Sequence, residues 1–209
     1  MRCAMLIAPI AALALPLAAC AAAPIAEEAA PAVVAEAAPA MAPPRCDPGT
    51  LHPDAPPEMQ QYAFLVGDFE VSSHIWLGED WSPPKPGPSA RWNGWWGLGG
   101  TVLYDEWFTE DPGLVPDTLR GVNVRYYDDA EGVWKMMWIS TAGRQVQDLR
   151  AEMRDGKLTM WQVYPDRPGF LADFTVEDED HWYRTQYNVE EDGSLTPAYL
   201  LKASRIPCA

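Results

Sequence analysis

Tight-turn signals recur between residues 90 and 206 at intervals of about one strand length, and this spacing constrains the fold more than any other feature of the chain. Asp155-Gly156 separates 147–154 from 157–164, and an Asp-Gly pair between two alternating segments is a strong hairpin signal. Asp128 to Gly132 separates 119–127 from 133–141 in the same way. Gly99-Gly100 divides 90–98 from 101–109, and Glu191-Asp192-Gly193 divides 181–190 from 195–206. With 69–77 and 169–176 added, about ten strands are joined mostly by tight turns. Residues 78–89 hold Pro83, Pro84, Pro86 and Pro88 and break the series, because proline cannot sit inside a paired strand. A short helix is expected over 58–65, ahead of the first strand. Consecutive hairpins without crossover helices predict an all-β antiparallel meander, and closure into a barrel of about eight to ten strands removes its exposed edges.

The N-terminal residues add nothing to that core. Met1-Arg2 is a short positive start, and 4–17 is an apolar run too short for a stable membrane span. Leu17-Ala18-Ala19-Cys20 then resembles the bacterial lipobox, in which a cysteine is lipidated before the signal is removed. The expectation is a lipoprotein signal peptide over 1–19 and an acylated Cys20 in the bilayer. An exported but unlipidated protein, cut near 21–23, is the alternative. Acyl chains contribute roughly 0.8 kcal/mol per buried methylene, so several on one cysteine anchor stably. Ala21 after the cysteine is similar to the sorting pattern of outer-membrane lipoproteins facing the periplasm. Residues 21–45 hold twelve Ala and five Pro, and the prolines break every candidate helix. Together with Cys20 they read as an Ala/Pro-rich disordered tether reaching at most roughly 80 Å.

The domain is then 46–209, long enough to bury a core. Cys3 leaves with the signal and Cys20 takes the lipid, so Cys46 and Cys208 remain, one at each end of the globular segment. In an exported, oxidising compartment they are expected to form a disulfide, with free thiols or intermolecular pairing as the alternative. The whole chain carries a formal charge of −15, and removing Arg2, Arg45, Glu27, Glu28 and Glu36 leaves −14 on this domain. Such a field repels phosphate backbones, which argues against nucleic-acid binding. The spacing of His52, His74 and His181 matches no metal site, and no cofactor is implied.

Chemistry must come from the strand faces. Trp134, Met136, Trp138 and Ser140 share one face of 133–141. A connecting loop of five residues pairs that face with Val122, Val124 and Tyr126, whereas a loop of six pairs it with Arg125; the sequence leaves both open. Asp105 shares a face with Trp107, Arg184 with Trp182 and Gln186, and Trp161 with Thr159. Candidate ligand-binding residues are therefore Asp105, Trp107, Arg125, Trp134, Trp138, Trp161 and Arg184. They fit a Trp-lined pocket for a small amphipathic or aromatic ligand with an anionic or hydroxylated end. Two alternatives compete: the rings fill the barrel, and Asp105 or Asp173 neutralises Arg125 or Arg184 internally. Of Trp92, Trp95 and Trp96, at least one must face outward. No nucleophile elbow, phosphate loop or His-Glu-x-x-His occurs.

Phe64-Leu65-Val66-Gly67-Asp68-Phe69 resembles the Gly-x-aromatic opening of the lipocalin-like (calycin) barrels. Leu98-Gly99-Gly100 with Asp105-Glu106-Trp107, Arg125-x-Tyr127-Asp128, Gly132-x-Trp134 and Trp138 is similar to a bacterial calycin-like domain family of unknown function. The resemblance spans about 60–206, with Phe69 where Trp is typical in the first strand. It implies a calycin-like barrel and no established activity. Three classes of function follow as expectations: a lipid-anchored ligand-binding barrel, a structural or interaction lipoprotein with a solid barrel, and a cofactor-independent barrel isomerase or lyase.

Overall fold

The computed structural model describes residues 46–84, 90–110, 118–140, 144–165 and 170–208. The signal peptide, Cys20 and the tether expected over 1–45 lie outside the described residues.

Ten strands appear where the turn signals place them: β1 (Gly67–Ile75), β2 (Ala90–Gly97), β3 (Val102–Glu110), β4 (Thr118–Asp128), β5 (Val133–Ser140), β6 (Gln145–Arg154), β7 (Lys157–Tyr164), β8 (Phe170–Val176), β9 (His181–Val189) and β10 (Leu195–Arg205). Each pairs antiparallel with its sequence neighbours, and β1 pairs with β10 to close the barrel. The architecture is all-β and consistent with a calycin-like barrel.

The largest boundary difference is at β1, which begins two residues before the expected 69–77 and ends two residues early. Beyond Ile75 the chain folds back on itself: Leu77 N–H donates to the Asp80 carbonyl at 2.9 Å, and the rings of Trp76 and Trp81 meet edge-to-face at 5.1 Å. In β10 the register shifts between Pro197 and Tyr199, which leaves Ala198 as the extra residue of a bulge beside the proline that has no N–H to donate to the ladder.

The short helix is present as a 3-10 helix, Pro57–Leu65. Its buried residues, Met59, Tyr62 and Leu65, recur every third position, which matches the three-residue turn of that helix. They plug one end of the barrel. Tyr62 meets Trp134 edge-to-face at 4.8 Å and Phe174 at 5.6 Å, while Trp182 adds contacts to Phe69 and Trp92. Gly94 on β2 admits this plug, because a Cβ there would stand 2.0 Å from the Leu65 carbonyl oxygen. Cys46 and Cys208 form the expected disulfide, with Cα atoms 5.6 Å apart, within the usual range.

Candidate functional site

Register decides which side chains enter the barrel. Asp128 pairs with Val133, leaving a four-residue connection of even length, so Trp138 lies opposite Asn123, Met136 opposite Arg125 and Trp134 opposite Tyr127. The Trp face and the Arg125 face are thus the same interior face. Inward positions then change character along each strand. On β9 they run Trp182, Arg184, Gln186, Asn188 away from the plug; on β6 they run Ala151, Leu149, Gln147, Gln145. The end distant from the helix is lined by amides.

Here a cavity of about 410 Å³ opens, with Trp138, Phe170, Leu149, Met160 and Arg184 among its walls. Six carboxamides complete it: Asn123, Gln145, Gln147, Gln162, Gln186 and Asn188. Gln147 donates to Gln162, which donates in turn to the Pro165 carbonyl at 2.6 Å. A smaller chamber of about 150 Å³ lies against the first and is lined by Trp92, Trp107, Trp138, Arg184, Tyr199 and Leu201. Trp138 and Arg184 line both, so the two spaces meet at these side chains. Gly121 makes room for the divide: a Cβ there would stand 2.0 Å from the Trp138 ring.

Asp105 and Arg125 sit behind this lining, both completely buried. The guanidinium binds the carboxylate through Nε to Oδ2 and through Nη2 to Oδ1 at 3.2 Å. It also stands 4.6 Å over the Tyr62 ring. Asn123 Nδ2 donates to the same Oδ1 at 2.9 Å, which links the pair to the cavity wall. Burial pushes the Tyr62 hydroxyl up to about 12. Burial, the largest single effect, pulls Arg125 down, but the Asp105 carboxylate and Tyr62 together hold it above its usual range. Internal neutralisation is therefore the arrangement found for Arg125, and neither member of the pair faces the cavity.

Arg184 is in the opposite situation. Burial pulls its guanidinium down to about 10, so it remains a cation at neutral pH. Its Nε has no hydrogen-bond partner among the described residues, and its Cζ lies 5.9 Å from the Phe170 ring. Asp173, the other expected internal partner, instead accepts from Thr159 Oγ1 at 2.7 Å.

The remaining candidates divide. Trp107 and Trp138 line the chambers. Trp134 is fully buried under the plug, where its Nε1 donates to Gln61 Oε1 at 3.0 Å, so it belongs to the packed end. Trp161 stands on the outer face beneath Arg154, whose Cζ lies 4.3 Å from the ring; the register that turns Met160 inward turns Trp161 away. Trp92 points inward and Trp95 outward, where it stacks on Tyr104 at 5.5 Å. His74 donates from Nδ1 to the Ser82 carbonyl at 2.8 Å, and His181 pairs with Asp178 at 2.8 Å; neither lines a chamber.

Sequence reasoning placed Gln186 on the face of Trp182 and Arg184 but missed the other five carboxamides. Their signal was present as alternation, since Gln145 and Gln147 continue the face of Leu149 and Ala151. Glutamine on a strand ordinarily signals the solvent side, so alternation alone did not mark these residues as lining.

No known family model matches the chain, and no curated protein matches it. The calycin-like resemblance rests on the barrel and on the short motifs.

Proposed function

We propose that this is an exported, lipid-anchored barrel of the bacterial envelope, held through Cys20, that binds a small amphipathic ligand in the paired chambers. The observation that carries the proposal is the 410 Å³ cavity bounded by rings, carboxamides and Arg184. Binding sites of this kind combine apolar walls with a few fixed polar groups. The amides match hydroxyl or amide groups of a ligand, Trp138 and Phe170 offer faces for a ring or chain, and Arg184 offers a charge. These side chains bind and orient, while Asp105 and Arg125 are enclosed and satisfy each other.

Titration with N-phenyl-1-naphthylamine and related amphipathic probes, followed by tryptophan emission, tests the proposal. Saturable one-to-one quenching that is lost in Trp138→Ala is the expected outcome. A flat response across the panel would leave a solid barrel whose surface does the work.

A further inference from the structure

The smaller chamber is short of hydrogen-bond acceptors, and this gives the ligand a polarity and a direction. Its lining holds three indoles, a guanidinium, a leucine and one phenol. Trp92 Nε1, Trp107 Nε1 and Arg184 Nε are each buried without a partner among the described residues. Tyr199 donates its hydroxyl to Ser73 Oγ at 2.6 Å. Three unmet donors therefore belong to residues that line one small space, and one of them is part of a cation that makes no ion pair among the described residues, with the Asp105 carboxylate acting on it only at longer range. A buried donor left unpaired is unfavourable, so an apolar ring placed here would leave all three unmet. An oxyanion supplies several lone pairs and balances the charge of Arg184 with charge-assisted hydrogen bonds.

Resting on the ligand-binding reading above, we propose that the natural ligand carries an oxyanion head group, a carboxylate in class, which lodges between Arg184, Trp92 and Trp107. The rest of the ligand runs past Trp138 into the carboxamide-lined chamber, where Gln147, Gln162 and Gln186 meet its hydroxyl or amide groups. The domain itself carries a formal charge of −14 by the subtraction given above, so a preference for anions cannot come from its general field. It must come from the site.

Two probes that share one skeleton separate these ideas: 8-anilinonaphthalene-1-sulfonate, and N-phenyl-1-naphthylamine, which lacks the sulfonate. With the whole protein, the sulfonate is expected to bind at least about tenfold more tightly than the neutral probe, the scale of one or two charge-assisted hydrogen bonds. Arg184→Met should abolish the difference, so that the variant binds the sulfonate no more tightly than it binds the neutral probe, and Arg184→Lys should retain part of it. Equal affinities in the wild type, unaltered in Arg184→Met, would overturn the oxyanion assignment and leave the pocket standing. Failure of both probes would overturn the pocket itself and the inference with it. Should Arg184→Met lose both probes, Arg184→Lys decides: a retained sulfonate preference supports the assignment, and its disappearance overturns it.

Discussion

Two inward arginines of one barrel live in opposite circumstances. Arg125 is enclosed with Asp105, and its chemistry is spent on holding the barrel wall together. Removing one member of a buried pair leaves an uncompensated charge, so Arg125→Met should lower stability by about 3–5 kcal/mol in urea unfolding. Replacing both, as Asp105→Leu with Arg125→Met, should recover most of the loss. A single substitution costing under about 1 kcal/mol would contradict this assignment of the pair. Arg184 has no such partner, and its unmet charge is what the chambers have to offer. The side chains that separate these two fates are not visible in the local sequence. Arg125 and Arg184 each alternate with aromatic or amide neighbours, and only the neighbouring strands show that Asp105 and Asn123 reach one of them.

The hairpins were the most legible elements, because turn chemistry is local. Asp128 accepts backbone N–H groups of Ala130 and Glu131 at 3.1 Å each, and Lys135 closes the turn by pairing with Asp128 and Glu131 at 2.6 Å. Asp192 caps the β9–β10 turn through Ser194, and Asp178 accepts from the Asp180 N–H and from His181. The hydrogen bond from Lys135, then those from the backbone, hold Asp128 below its ordinary 3.8; hydrogen bonds from Ser194 do the same for Asp192, and those from Asp180 and His181 for Asp178. A carboxylate lowered in the folded state stabilises it above the unfolded value and loses that contribution as pH falls through the folded one. The urea midpoint should therefore fall as pH drops below about 4 through these groups, and Asp128→Asn with Asp178→Asn and Asp192→Asn should soften that fall. An unchanged acid slope would assign it to other carboxylates. What alternation supplies is a face, without a depth along the barrel. Trp134 and Trp138 share a face, yet one lies under the plug and the other at the chambers. Register was equally hidden, since the parity of the β4–β5 connection depends on whether Asp128 belongs to the strand or the turn. Trp161 was misplaced because the partner strands, rather than Thr159 beside it, determine which side of β7 turns inward.

At the scale of the whole molecule, the Cys46–Cys208 bond joins the two ends of the described residues across a sequence separation of 162. Loop entropy gives roughly 5 kcal/mol as an upper figure for such a closure. Reduction should lower the thermal midpoint by several degrees, and intact mass with alkylation should show no free thiol before reductant is added; labelling of both cysteines without it would contradict the bond. Cys20→Ser should move the protein from the membrane to the soluble fraction, and persistence with detergent-extracted membranes would refute acylation at that residue. The sheet and plug border the space in which we propose that a ligand binds. That space has its own test in a pair of tryptophans. N-phenyl-1-naphthylamine titrated into Trp138→Ala and Trp161→Ala compares an inward ring with an outward one of the same barrel. The account predicts that binding is lost or weakened at least about tenfold in Trp138→Ala and unchanged in Trp161→Ala. Equal loss in both variants, or loss in Trp161→Ala alone, would contradict an internal binding site.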